Sequence, residues 1–363
     1  MDKSFLARSG QSCNFIRENS MRSLACCLFV GFATFVGAAN AADPQSAVYR
    51  VQHSLTVSKI PPGSRQVRIW FWLPDDDECQ KVLNLEVKDS PLDYQVTRDA
   101  KYGHRYLYAV VNNPAADKAT LSTEFTLRRN SVSVSLDPSR ATPLTDAHRN
   151  LFSEYLRRDV PNMEVNQGVV KLANEICGNE TNEIKQARLL FDWVTDHTDH
   201  YSKGGTAPKS SGKGSVEYCL SKKGGGCTDQ HALFIALARA RGIPTRLQFG
   251  TLLKPANEGK EMDPGYRCWV QFFVPNYGWV PMDIAAANTN PAKRDFYFSG
   301  LDNRRVHFSE GRDLDVAPKQ DGPRLNLLII GYVEVDGKPH DSFQRVLKYT
   351  EVKNELPDRA AAL

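Results

Sequence analysis

The chain has 363 residues, 41% hydrophobic and 24% charged, which excludes gross disorder, collagen and coiled coil as its main state. That length exceeds what one compact domain usually needs, so two folded domains are expected. A net charge of +4, from 46 Lys+Arg against 42 Asp+Glu, is too slight a basic bias for a nucleic-acid binder, and no nucleic-acid partner is expected.

The first 41 residues form a unit of their own. Arg8, Arg17 and Arg22 precede an apolar run from Leu24 to Phe35, and Ala39-Asn40-Ala41 has the A-x-A form of a cleavage site. Met21 is an alternative start that places Arg22 directly before the run. The run is shorter than the roughly 20 apolar residues that span a bilayer, so residues 1–41 read as a signal peptide rather than a retained anchor. An exported chain, periplasmic or extracellular and free of the membrane after cleavage, is the expectation. The leader takes Cys13, Cys26 and Cys27 with it. Cys79, Cys177, Cys219, Cys227 and Cys268 remain, an odd number, so at least one thiol is free or pairs with another chain.

Residues 45–137 predict a β-sandwich. Val67, Ile69, Phe71 and Leu73 alternate with Arg68, Trp70 and Trp72, the period of a half-buried strand. Pro61-Pro62-Gly63 before it and Pro74 with Asp75-Asp76-Asp77 after it are turn material, the acidic run reading as a solvated loop rather than a calcium site. Tyr106–Val111, Leu121–Arg128 and Val132–Leu136 are further strand-like runs.

Past Leu136 the period lengthens. Val169, Leu172, Ala173 and Ile176 are spaced for a helix that Gly178 stops, and Ile184, Ala187, Phe191 and Val194 for a second one. Residues 202–226, rich in Gly, Ser and Lys, read as a flexible loop. A third helix is predicted from about Thr228 to Arg241; it is apolar nearly all round, hence central and buried, and Gly242 and Pro244 end it. Thr245–Gly250, Trp269–Val274 and Gly278–Met282 follow as strands. Leu327–Val335 is a last one, with Asp336-Gly337 as a hairpin signal.

Cys227 stands where the Gly224-Gly225-Gly226 loop meets the start of the buried helix. Helix-terminal N–H groups and the helix dipole favour a thiolate there, and glycines allow close approach of a substrate. A structural thiol, or half of a disulfide with Cys219 or Cys268, fits the same position; a Cys219–Cys268 bridge across a cleft is another pairing.

Gly226-Cys227-Thr228-Asp229, His231 to Ala240 and Gly242-Ile243-Pro244-Thr245-Arg246 resemble the core block of the transglutaminase-like superfamily. Tyr266 to Phe273 resembles its second block and Gly278-Trp279-Val280-Pro281-Met282-Asp283 its third. Phe191-Asp192-Trp193-Val194 upstream, and the tails Arg294 to Gly300 and Asn303 to Leu314, also fit. The resemblance implies an α+β fold: an N-terminal β-sandwich, residues 45–137, then a papain-like transglutaminase-like domain, residues 138–350, and a tail, 351–363. It also implies a Cys-His-Asp triad in which Cys227 is the nucleophile and Asp283 the orienting acid. At the family's His position stands Arg267, which cannot act as a base at neutral pH.

Arg267 beside Asp283 predicts a triad decayed into a salt bridge and a peptide- or protein-binding role. The alternative is an active cysteine peptidase, amidase or acyltransferase with a substitute base. His231, one turn after Cys227 on the same helix face, is the first candidate for that base. His197, His200 and His307 are loop candidates. No metal spacing occurs among the histidines, and no cofactor is expected.

Overall fold

The structure, a computed structural model, describes residues 46–88, 90, 92–326 and 331–353. The leader, the first four positions of the 327–335 run and the tail beyond 353 lie outside the described residues.

Six strands open the fold: β1 (Ser46–Val57), β2 (Gln66–Trp72), β3 (Gln80–Lys88), β4 (Tyr94–Arg98), β5 (Arg105–Asn112) and β6 (Ala119–Asn130). β6 shows the period of two most cleanly: Ala119, Leu121, Thr123, Phe125, Leu127 and Arg129 are buried and the residues between them are half exposed. It pairs with β1 over its whole length, Val57 opposite Ala119 and Ser46 opposite Asn130, with β3 on its other side. The facing sheet carries β2 between its neighbours, with β5 on one side and β4 beyond it. Leu55, Val57, Ile69, Phe71, Leu107 and Leu121 fill the space between the sheets.

β2 departs from the half-buried expectation. Trp70 and Trp72, on its other face, are as buried as Ile69 and Phe71. The 313–325 segment reaches Trp70, whose indole N–H donates to the Pro318 carbonyl at 3.0 Å, and Trp72 packs edge-on against Tyr106. The outer face of the sandwich is therefore an internal surface against the second half of the chain. The acidic run departs too. Asp77 is half-buried between Arg129 (2.9 Å) and His307 (2.9 Å); burial alone would raise its carboxyl, but those partners hold it well below the usual range.

A short β7 (Val132–Ser133) and α1 (Asp146–Leu151) lead to α2 (Gln167–Cys177) and α3 (Glu183–His197). Both long helices start on asparagine caps: Asn166 accepts from the Val169 N–H, and Asn182 from those of Ile184 and Lys185. The chain then forms β8 (Asp199–His200), α4 (Val216–Lys222), β9 (Gly224–Gly225) and α5 (Cys227–Ala240). Residues 202–226, predicted as a flexible loop, are shaped by Asp229. This buried carboxylate accepts from the backbone N–H groups of Ser211 (3.0 Å), Ser215 (2.8 Å) and Gly226 (2.7 Å), and from the Ser211 hydroxyl. The polar loop is thus tied to the helix start.

α5 is buried along its whole length up to Arg239. Leu233, Phe234, Ile235 and Leu237 have no exposure, each burial contributing about 1.5–3 kcal/mol. Against it lies an antiparallel sheet, ordered β12-β11-β10-β14, of β10 (Thr245–Leu252), β11 (Arg267–Val274), β12 (Gly278–Met282) and β14 (Arg305–Glu310). Between β12 and β14 the chain makes α6 (Ile284–Thr289), α7 (Arg294–Ser299) and β13 (Gly300–Leu301).

The last strands return to the sandwich. β15 (Tyr332–Val335) pairs with β2 and with β16 (Lys338–Pro339) across the expected Asp336-Gly337 turn. β17 (Phe343–Glu351) pairs with β1 from Tyr49–Glu351 to Val57–Phe343. Both sandwich sheets are thus completed by residues that the sequence order assigns to the second domain.

Candidate active site

Cys227 begins α5 and lines a cleft of about 500 Å³ together with Tyr201, Gly226, Asp263, Tyr266 and Arg267. It is 4% exposed and makes no disulfide; all five described cysteines are free thiols, so neither a Cys227 bridge nor the Cys219–Cys268 bridge is formed. Cys219 lies buried on α4, where burial pushes its thiol up.

Two close approaches of the backbone place the Cys227 thiol. β8 and β9 pair in parallel, Asp199 opposite Gly224 and His200 opposite Gly225. A Cβ on Gly224 would collide with the Asp199 backbone, and one on Gly225 with the Asp229 carboxylate. Both glycines also have φ near +150°, a region that other residues rarely adopt. The pairing carries His200 to the start of α5. The His200 N–H is fixed by Asn288 Oδ1 (2.9 Å), and the Asn288 amide donates to the carbonyls of Thr195 and Thr198 (2.8 Å each).

The Cys227 thiol is held well below its ordinary value. The hydrogen bond with Cys268 is the main cause; burial opposes it, and a hydrogen bond from His200 and the nearby charge of Arg267 add to the lowering. Burial, with the same thiol pair, pushes Cys268 far upward. Arg267 is bound toward Cys227, and its Nη1 lies 3.4 Å from His200 Nε2.

The predicted Arg267–Asp283 salt bridge is not formed. Asp283 Oδ2 is taken by Arg305, which reaches in from β14 at 2.9 Å and also binds Asp302 at 2.7 Å. Oδ1 caps α6 through the Ala286 N–H (2.9 Å). Burial alone would raise the Asp283 carboxyl, but the Arg305 guanidinium and the Ala286 N–H help hold it well below the usual range. Arg305 is 1% exposed, so this pair is already satisfied when Arg267 approaches from the cleft side.

His231 does not face Cys227. Its Nε2 accepts from the Ile284 backbone N–H at 3.1 Å, which leaves the proton on Nδ1, 3.1 Å from Cys268 Sγ. Asp283 Oδ1 is farther from that Nε2, at 3.5 Å. His200 is held otherwise. Its Nδ1 lies 2.7 Å from the Ser202 hydroxyl, which can donate or accept, with the Ser202 N–H longer at 3.3 Å. His197 stacks on Trp193 at a helix end, and His307 pairs with Asp77; neither is among the Cys227 neighbours. Gln271 binds Arg246, which also holds Glu78 of the sandwich half, and it is absent from the cleft lining.

Residues 170–284 match the family model of the transglutaminase-like superfamily. That segment, about a third of the chain, is similar to the superfamily over the helix that Cys227 begins and the strands that follow it. An uncharacterized protein of Haemophilus influenzae is 29% identical over 334 residues, covering 82% of this chain and 89% of the relative. A crystal structure of a candidate cysteine protease from Cytophaga hutchinsonii superposes with a TM-score of 0.57 at 16% identity, over 86% of this chain and 92% of that one. The α+β fold with a papain-like transglutaminase-like domain is therefore shared. Within that domain, sequence reasoning named Cys227, Asp283 and Arg267, gave His200 only as a loop candidate and Cys268 only as a disulfide half, and did not single out Asp229. Asp229 was legible as an acid three residues after the helix cap. Cys268 and His200 carried no such signal, since each reaches Cys227 only through long-range strand pairing.

Proposed function

We propose that the transglutaminase-like domain is an active thiol acyl-transfer site with a relocated base: Cys227 attacks a peptide or protein amide, and His200 moves the proton. The observation that carries this reading is the His200 imidazole beside the Cys227 thiol, with Ser202 on its far nitrogen. Ser202 tolerates both protonation states of the ring, which a general base that later acts as an acid requires. Arg267, at the family's His position, holds the thiolate by charge and does not itself transfer protons. The start of α5 adds the positive end of its dipole and N–H groups without intrahelical acceptors, suited to an oxyanion. The acyl-enzyme then passes to water or an amine.

The leader-like residues 1–41 support export. No helix among the described residues is long and apolar enough to cross a membrane.

A second reading, a peptide-binding cleft without chemistry, is favoured by the commitment of Asp283 to Arg305. The test is release of ammonia or amine from glutamine-containing and simple peptide amides. His200→Gly should lower kcat by about 10²–10⁴-fold, and added imidazole should recover part of it. No turnover in the unaltered protein, with peptide still bound, favours the second reading.

A further inference from the structure

The acyl-transfer reading uses one thiol, yet the site contains two. Cys268 follows Arg267 on β11, and the pleat turns its side chain to the face opposite that of Arg267. Cys268 is 1% exposed and meets α5 at His231, one turn after Cys227, and the nearby Cys227 thiol helps push it up. A buried thiol in this position has one polar neighbour on its other side, the Nδ1–H of His231 at 3.1 Å. An N–H donor aimed at sulfur stabilises a thiolate as it forms. His231 is in turn locked in that tautomer by the Ile284 N–H at 3.1 Å. The pair is therefore asymmetric: one thiol at a helix N-terminus lining a cleft, the other buried with its own hydrogen-bond donor.

We propose that Cys227 and Cys268 form a dithiol–disulfide exchange pair acting on low-molecular-weight peptide disulfides that fit the cleft. Cys227 is the attacking sulfur and Cys268 the resolving one. In the first step the Cys227 thiolate attacks one sulfur of R–S–S–R′. The Cys227–S–S–R bond forms, the S–S bond of the substrate breaks, and R′S⁻ leaves and takes a proton from solvent. In the second step the Cys268 sulfur attacks Cys227 Sγ. The Cys227–Cys268 bond forms, and RS⁻ leaves with the proton that Cys268 gives up. The substrate disulfide gains two electrons and becomes two thiols; the protein dithiol loses two and becomes a disulfide. The divergence of the two thiols favours this order, since the attacking thiol must be ionised and the resolving one held in reserve. The oxidised form has no nucleophile for acyl transfer, so exchange and acyl transfer exclude each other on one molecule.

The proposal rests on Cys227 as the reactive thiol but not on His200 as its base, and the test separates the two. The folded chain is incubated with excess glutathione disulfide at neutral pH, quenched with acid and mapped by mass spectrometry. The expected product is a Cys227–Cys268 link with little retained glutathione. Cys268→Ala should instead keep glutathione on Cys227, its release slowed roughly tenfold or more for want of the neighbouring thiol. Cys268→Ser, closer in volume, should behave alike, which guards against misfolding of the first variant. The link should still form in His200→Ala even where acyl transfer is lost. A mixed disulfide on Cys227 that lasts as long in the unaltered chain as in Cys268→Ala and Cys268→Ser overturns the proposal. So does an oxidised product in which Cys268 is linked elsewhere or remains a thiol.

Discussion

Two histidines sit beside two thiols in this fold, and they are wired in opposite ways. His231, on the central helix, has Nε2 facing a backbone N–H and Nδ1 facing Cys268, both at 3.1 Å. A backbone N–H only donates, so Nε2 is held as an acceptor. His200, on a two-residue strand, faces a hydroxyl at 2.7 Å and the Cys227 thiol. The Ser202 hydroxyl can serve either state of that ring, while the Ser202 N–H (3.3 Å) and Arg267 Nη1 on Nε2 (3.4 Å) only donate. Both are essentially unexposed, so burial does not distinguish them. What decides whether a histidine can carry protons is whether its partners accept both of its states.

The largest way to break this comparison is to exchange the two roles by mutation. His200→Ala should remove about 10²–10⁴-fold of kcat in the folded fraction, beyond the stability lost with its buried ring and its Ser202 contacts. His231→Ala should do the reverse, destabilising by about 2–4 kcal/mol through the orphaned Ile284 N–H and the void against Cys268, with a smaller effect on turnover of the folded fraction. Urea titrations alongside initial rates check both, and a catalytic collapse in His231→Ala with stability intact would reverse the assignment.

The charges behind the site come next. Arg305→Met should cost about 3–5 kcal/mol in urea unfolding, since Asp283 is then a buried carboxylate without its cation. Asp229→Ala should cost a similar amount and expose residues 203–215 to limited proteolysis, because the N–H groups of Ser211, Ser215 and Gly226 lose their acceptor. Proteolysis unchanged in Asp229→Ala would show that the loop is held by something else.

The smallest effect concerns a third histidine. His53 is buried in the sandwich, its two nitrogens without partners and its ring against Phe71 and Phe308. Burial holds its pKa well below the ordinary value, with the charge of Arg345 adding to the lowering. The folded state therefore binds fewer protons than the unfolded one once pH falls below about 6.5. Stability from this group is complete above that pH and declines as pH falls, at up to about 1.4 kcal/mol per pH unit. His53→Leu should flatten the pH 5–7 part of the stability curve by about 1–2 kcal/mol. His104 is also lowered, by burial against the opposing charge of Asp99, so the curve should flatten only in part.

The sequence showed the parts of this molecule that are local. The helix around Leu233–Leu237 is apolar on every side, and its burial and its Gly242 stop follow directly. The period of two in β6 does the same for the sandwich. What escaped was set by long-range pairing. Trp70 looked like the wet face of a strand because the segment that reaches it through Pro318 is over 200 residues away in sequence. Arg267 looked like the partner of Asp283 because nothing in the order of residues says that Arg305 arrives first. His200 looked like one loop histidine among several until the pairing of Asp199–His200 with Gly224–Gly225 placed it beside Cys227.

The relocated base is tested most directly by the pH dependence of Cys227 alkylation. Iodoacetamide rates at Cys227, read by peptide mapping from pH 4 to 10, should give a half-point well below the ordinary thiol value of about 8.5 in the unaltered protein. In His200→Ala the half-point should rise by about one unit or more, and in Arg267→Gln by less. An unaltered protein whose Cys227 reacts only above about pH 8.5, or a profile that His200→Ala leaves in place, would contradict the account.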